Sequence, residues 1–260
     1  MTENLHGTTV SYEIQGAGNS RVILLHGWGC DMSLMQPVAD ALKEDHRVLL
    51  VDFPGHGKSG RPPEPWGVPE YAACLTELLE RTGFTPCSVV AHSFGCRVAT
   101  WIAANEPEKF SRMIFTGAAG IRPKPTEESA RRSAEFKKLK GYCNRIKKVP
   151  FLKGAAEQWE DRLRQKYGSR DYNALDEEMR KTFVKVISQD LSELYPRFRQ
   201  STLLVWGDAD TETPIWMGRE MEKLIPDAGL VILEGGTHFA YLEQNGRFNT
   251  IARHFLKEEA

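Results

Sequence analysis

Cysteine is scarce in this 260-residue chain, with only Cys30, Cys74, Cys87, Cys96 and Cys143. Their number is odd, they are scattered, and none stands in C-x-x-C spacing, so neither a disulfide framework nor a zinc site is expected and all five read as free thiols. Long apolar runs are missing too. No stretch approaches the roughly 20 residues that a membrane-spanning helix needs, and Met1 to Gly7 lacks the basic start and apolar core of a secretory leader. The expectation is a cytoplasmic protein with no membrane partner. Charge of one sign is also lacking overall, since 34 Lys and Arg face 35 Asp and Glu for a formal net charge of −1. No segment resembles a nucleic-acid module, so no nucleic-acid partner is expected. Gly57-Lys58-Ser59 looks like the end of a phosphate-binding loop, but Asp52 stands where its first glycine is required and Gly60-Arg61-Pro62-Pro63 cannot continue as a helix.

What the chain does have is alternation. Thr8 to Ile14 alternates as a strand, Val22 to Leu25 and Val48 to Val51 are short apolar strands, and Pro69 to Arg81 reads as a helix closed by Gly83. This pattern predicts an α/β fold, with a mostly parallel sheet covered by helices on both faces and ligands collecting at the carboxyl ends of the strands. Between a strand ending near Gly120 and another starting at Thr202, about 80 residues contain no strand-like run, too many for a structureless loop. Leu175, Met179, Phe183, Val186 and Ile187 recur at helical spacing and Ala155 to Lys166 is helix-like. Residues 121–200 are therefore expected as a helical cap inserted in a core of 1–120 and 201–260, with Phe151, Trp159 and Phe183 as its candidate pocket residues.

The balanced total conceals a local excess. From Ile121 to Lys153, eleven cations (Arg122, Lys124, Arg131, Arg132, Lys137, Lys138, Lys140, Arg145, Lys147, Lys148, Lys153) face only Glu127, Glu128 and Glu135. Such a run is either a solvated helical face or an attractor for an anionic or carrier-linked acyl substrate.

The most telling segment is Ser88-Val89-Val90-Ala91-His92-Ser93-Phe94-Gly95, an apolar strand ending in a serine with small residues two positions to either side. A strand-to-helix turn sharp enough to lift a serine hydroxyl clear of a sheet tolerates only small residues there. The nearly all-apolar stretch from Phe94 to Asn105, stopped by Pro107, supplies the helix such a turn requires. Serine is a poor nucleophile at neutral pH and needs a base, itself oriented by a carboxylate. Thr202 to Trp206 is a strand running into Gly207-Asp208-Ala209-Asp210, which offers two carboxylates. Leu230 to Leu233 is another strand, opening into Glu234-Gly235-Gly236-Thr237-His238, with a helix expected from about Tyr241 to Leu256. The order Ser93, then Asp208 or Asp210, then His238 places one candidate after each of three strands.

On these residues the chain resembles the α/β-hydrolase superfamily along essentially its whole length. His26-Gly27-Trp28-Gly29 resembles the family's oxyanion loop and is similar to that of pimeloyl-carrier-protein methyl ester esterases. Asp52-Phe53-Pro54-Gly55-His56-Gly57-Lys58-Ser59 resembles its D-x-P-G-x-G-x-S turn, and Trp206 to Pro214 its W-G-x-x-D-x-x-x-P segment. The resemblance implies Ser93 as nucleophile, Asp210 rather than Asp208 as acid, His238 as base, and the Trp28 and Phe94 amides as oxyanion hole. Two positions depart from the pattern: Ala91 replaces the first glycine of the serine turn, and Cys96 stands where relatives often have glycine. Both side chains are small. Phe115 to Gly120 holds no carboxylate, so the acid comes later in the chain, and His26, His56 and His92 read as backbone-bonding residues. The implied activity is hydrolysis of a carboxylic ester or related acyl bond without a cofactor or metal. Carbon-carbon bond hydrolases, lactonases, thioesterases and cofactor-free haloperoxidases share the triad, and a ligand-sensing signalling protein that retains it is the alternative from another class.

Overall fold

Period-two alternation gives each central strand two apolar faces. In β3 the side chains of Ile23 and Leu25 enter one buried cluster and those of Val22 and Leu24 the other; Leu49 and Val51 are likewise separated from Val48 and Leu50. A strand buried on both sides needs helices on both sides, which is the arrangement found in the computed structural model, where residues 1–123, 126–147, 149–168 and 170–257 are described. Among the described residues the strands are β1 (Thr2–Leu5), β2 (Thr8–Gln15), β3 (Ser20–Leu25), β4 (His46–Val51), β5 (Cys87–His92), β6 (Phe110–Thr116), β7 (Ser201–Gly207) and β8 (Ala228–Leu233). They lie in the order β1-β2-β4-β3-β5-β6-β7-β8. The pairs β1–β2 and β2–β4 are antiparallel and all others parallel.

Helix α1 (Gln36–Leu42) packs Val38, Ala39 and Leu42 on one face, whereas α2 (Val68–Arg81) and α3 (Phe94–Asn105) cover the other. Local chemistry sets their ends. In α2, Pro69 occupies the first turn, the Glu70 carboxylate accepts the Gly67 N–H at 2.7 Å, and Gly83 follows the helix with φ +61°, a conformation that favours glycine. Strand β6 stops at Thr116, short of Gly120, because Gly117 takes φ +50° and turns the chain out of the sheet.

Two compact units result, one of Met1–Ile121 with Val184–Ala260, the other of Arg122–Phe183. The second contains α4 (Glu127–Ile146), α5 (Lys153–Tyr167), α6 (Arg170–Ala174) and the start of α7 (Glu177–Ser188). Helices α4 and α5 bury Cys143, Ala156, Glu160 and Leu163, with Lys147 paired to Glu160 and the Arg132 guanidinium donating to the Lys166 carbonyl at 2.9 Å. Arg131, Arg132, Lys137, Lys138 and Arg145 are exposed; Lys124 and Lys148 of the basic run lie outside the described residues. The sequence placed the insert at 121–200, but Val186, Leu191, Tyr195 and Phe198 enter the larger buried cluster and the Leu191 N–H bonds the Gly120 carbonyl at 2.9 Å. The chain after Phe183 therefore groups with the first unit.

After β7 come α8 (Ile215–Leu224), α9 (Ala240–Glu243) and α10 (Asn245–Leu256). The helix expected from Tyr241 to Leu256 is broken at Gln244, whose backbone leaves the helical region (φ −115°, ψ 43°) while its side chain donates to the Glu234 carbonyl at 2.9 Å. That tie draws the helix start back to the end of β8. Among the described residues no helix is long and apolar enough to cross a membrane.

Candidate active site

Strand β5 ends at His92 and α3 begins at Phe94, leaving one residue to make the turn. Ser93 makes it at φ +50°, ψ −106°, a conformation that costs a side-chain-bearing residue on the order of 1–3 kcal/mol and persists only when its surroundings enforce it. Here they do. The Ser93 N–H donates to the Thr116 carbonyl at 3.1 Å, and its own carbonyl accepts from Cys96 (3.1 Å) and Ala119 (3.3 Å). Gly95 admits no side chain, since a Cβ there would lie 2.7 Å from the Leu25 carbonyl oxygen and 2.9 Å from that of His26. Ala91 fits fully buried, and the Cys96 thiol points back to the Ala91 carbonyl at 3.1 Å. Burial raises that thiol well above its ordinary pKa, which keeps it unreactive.

The amide next to the serine is open. Ser93 and Gly95 spend their N–H groups on Thr116 and His26, whereas the Phe94 N–H has no acceptor among the described residues. Trp28 lies in the neighbouring loop, its ring edge-on to Phe94 (centroids 5.2 Å) and to His56 (4.7 Å). Gly27 lets that loop close on the serine turn, because a Cβ would fall 2.8 Å from His92 Nδ1 and 3.3 Å from Ser93 Cβ. Asp52 ties the loop to the next turn by accepting the amides of Met32 and Lys58, each at 2.8 Å. A Cβ at Gly57 would sit 2.3 Å from that carboxylate, so the segment that mimicked a phosphate loop is a carboxylate-centred turn.

Three histidines in this region bond backbone. His26 Nε2 accepts the Phe53 amide at 3.1 Å and its Nδ1–H donates to Gly27; His56 Nδ1 meets the Pro54 carbonyl at 3.2 Å; His92 Nε2–H donates to the His238 carbonyl at 3.0 Å. Burial depresses all three, His26 and His56 to about 4 and His92 to about 3, so each is neutral at pH 7.

At the end of β7 the two candidate carboxylates part company. Asp208 is exposed and accepts the Gly235 amide at 2.7 Å. Asp210 is buried and its Oδ2 meets His238 Nδ1 at 2.9 Å. Its Oδ1 accepts the amides of Glu212 and Thr213, both at 2.9 Å, and Oδ2 also accepts the Thr213 hydroxyl at 2.8 Å. Burial works to raise the Asp210 pKa, but the hydrogen bond and charge of His238 together with the Thr213 bonds hold it below the usual value. An ionised partner on Nδ1 fixes that nitrogen as the donor and leaves Nε2 as the basic atom. The His238 ring is 4.7 Å from the ring of His92, the residue before Ser93, and a Cβ at Gly117 would lie 3.1 Å from its Nδ1.

The family described as alpha/beta hydrolase fold matches residues 20–244. The chain belongs to that family. Among curated α/β-hydrolase relatives, the pimeloyl-[acyl-carrier protein] methyl ester esterase of Aliivibrio fischeri (strain ATCC 700601 / ES114) is 22% identical, covering 97% of this chain and 99% of its own length. The 2-hydroxy-6-oxononadienedioate/2-hydroxy-6-oxononatrienedioate hydrolase of Burkholderia vietnamiensis (strain G4 / LMG 22486) is 26% identical over 95% of this chain and 91% of its own. Of solved structures, the enol-lactonase from Burkholderia xenovorans LB400 superposes with a TM-score of 0.76 at 21% identity, covering 99% of this chain and 100% of that one.

In this α/β hydrolase, three residues near His238 escaped the sequence reading. Thr213 braces Asp210, Glu212 Oε2 stands 3.6 Å from His238 Nε2, and Gly117 leaves room for the ring. Part of the signal was present, since an aspartate in a loop commonly collects the backbone amides two and three residues on, which brings Glu212 and Thr213 to Asp210. Among the described residues, no group of three or more His, Cys, Asp or Glu side chains is arranged to hold a metal ion.

Proposed function

We propose that the protein is a serine hydrolase that cleaves a carboxylic ester or closely related acyl bond through an acyl-enzyme. The observation that carries this reading is the strained Ser93 turn, tied through His92 to the carbonyl of His238, whose Nδ1 is in turn held by buried Asp210. Ser93 Oγ attacks the carbonyl carbon while His238 Nε2 takes its proton, and Asp210 keeps the imidazole oriented and stabilises the imidazolium. The amides of Trp28 and Phe94 receive the oxyanion, each worth a factor of roughly 100 to 1,000 in rate. Collapse expels the alcohol, which takes the proton back from Nε2. Water then attacks the acyl-enzyme by the same route, releasing the acid and free Ser93. No atom in this cycle is supplied by a cofactor.

For the substrate, the relative named for a carrier-linked methyl ester and the exposed cations of α4 support an anionic or carrier-linked acyl group. In this reading the second compact unit, Arg122–Phe183, serves as the helical cap. The Burkholderia vietnamiensis relative favours a second reading, a carbon-carbon bond hydrolase using the same three residues. A screen of esters, thioesters, lactones and vinylogous diketones tests both. Turnover of short p-nitrophenyl esters, reduced at least about a thousandfold in Ser93→Ala, is the expected result. Single turnover with retained product would instead favour a ligand sensor.

A further inference from the structure

The Nε2 face of His238 carries an anion that the reaction above does not use. Glu212 Oε2 lies 3.6 Å from Nε2, whereas Asp210 is bound at Nδ1. This is beyond hydrogen-bond range, so the carboxylate leaves Nε2 its lone pair and acts as a neighbouring charge. Its place is built in, because the Glu212 amide is bound to Asp210 Oδ1 at 2.9 Å and the turn that seats the acid delivers this side chain as well. The Glu212 side chain is 62% exposed, open to a partner arriving from solvent. Among the described residues no Lys or Arg pairs with it, whereas Asp208 in the same turn is spent on the Gly235 amide.

Nε2 is the atom that returns the proton to the departing oxygen, so a group beside it borders the alcohol half of the substrate and not the acyl half. We infer that Glu212 is a specificity-determining residue of the leaving-group subsite, favouring alcohols that carry a positive charge and rejecting anionic ones. The inference rests on the serine-hydrolase reading and extends it to the alcohol. A cation placed about 6 Å from a half-exposed carboxylate gains roughly tenfold over a neutral isostere at an intermediate effective dielectric, and salt weakens that gain.

The test compares three butyrate esters, of choline, of its uncharged isostere 3,3-dimethylbutanol, and of glycolate. In the wild-type protein at low salt, kcat/KM for the choline ester should exceed that of the dimethylbutyl ester roughly tenfold, with the glycolate ester slowest. In Glu212→Gln the choline-to-dimethylbutyl ratio should fall to about one, and in Glu212→Arg the glycolate ester should overtake the choline ester. Each ratio is internal to one enzyme, so a general loss of activity in a variant cancels. A parallel arm needs no turnover: choline should shield Ser93 from a fluorophosphonate at lower concentration than dimethylbutanol, and only while Glu212 is present. Identical ratios in wild type and Glu212→Gln, or identical shielding by the two alcohols, would overturn the inference and leave the hydrolase reading intact. A protein that neither hydrolyses any of the three esters nor reacts at Ser93 would sink both.

Discussion

The ring of His92 donates from Nε2 to the backbone carbonyl of His238 at 3.0 Å, joining two residues 146 positions apart in the chain. His92 directly precedes Ser93, so one hydrogen bond couples the loop that carries the proposed base to the turn that carries the proposed nucleophile. The ring is fully buried and packs at a tilt against the rings of Phe239, Tyr241 and His238. His92→Phe keeps the ring and loses the bond, leaving a buried carbonyl unsatisfied at a cost of about 1–3 kcal/mol. The expected result is a roughly tenfold lower kcat with KM within about twofold, the pattern of a positioning residue. Loss of KM alone would contradict this role.

Asp210→Asn should lower kcat by at least about two orders of magnitude, because the amide cannot hold His238 in the required tautomer. Asp208→Asn should change kcat less than about threefold, since that side chain only caps the Gly235 turn. Thr213→Val falls between, near tenfold, as it removes one of two bonds to Asp210 Oδ2 and keeps the backbone amide on Oδ1. Steady-state kinetics on one short ester ranks all three, and a larger loss in Asp208→Asn than in Asp210→Asn would reassign the acid.

Buried neutral histidines make stability depend on pH with a definite sign. His26 and His56 at about 4 and His92 at about 3 all lie below the unfolded value of 6.5, so between these limits the unfolded chain binds protons that the folded chain refuses. Stability is therefore full above pH 6.5 and falls as the pH drops towards 4, by on the order of 2 kcal/mol per histidine between pH 7 and pH 5. Urea midpoints measured at pH 5, 6, 7 and 8 should decline on the acid side. A midpoint that rises on acidification would show that these rings are charged in the folded state.

The basic run gives a salt-dependent prediction. If α4 attracts a carrier-linked acyl group, kcat/KM on that substrate should fall steeply with ionic strength while a neutral short ester stays nearly constant. Reversing Arg131, Arg132, Lys137 and Lys138 to Glu should slow the first reaction and spare the second. Equal salt responses would return these exposed cations to a solvated helical face.

How much of this was legible depended on how local each cause is. The β5–Ser93–α3 unit could be read because every determinant lies within twenty residues: β-branched residues for the strand, small neighbours for the turn, and Pro107 to end the helix. The choice of Asp210 as the proposed acid came from the resemblance of Trp206 to Pro214 and not from local chemistry. Two aspartates follow β7, and only the fold shows that Asp208 faces Gly235 and Asp210 faces His238. The bond from His92 to the His238 loop could not be read at all, since nothing near either residue announces a partner so distant in sequence. The break at Gln244 had a local mark in the Asn245-Gly246 pair that follows it, but the side-chain bond from Gln244 to Glu234 that accompanies it could not be read. The insert's lower boundary was visible as the end of a strand pattern, whereas its upper one depends on Val186, Leu191 and Tyr195 joining the core of the first unit.

Whether Ser93 is the nucleophile is decided by exposing the protein to a fluorophosphonate and mapping the modified peptide by mass spectrometry. One adduct on Ser93 is predicted, formed slowly in Asp210→Asn and absent from Ser93→Ala. An adduct on any other residue, or equal labelling of the Ser93→Ala protein, would contradict the account.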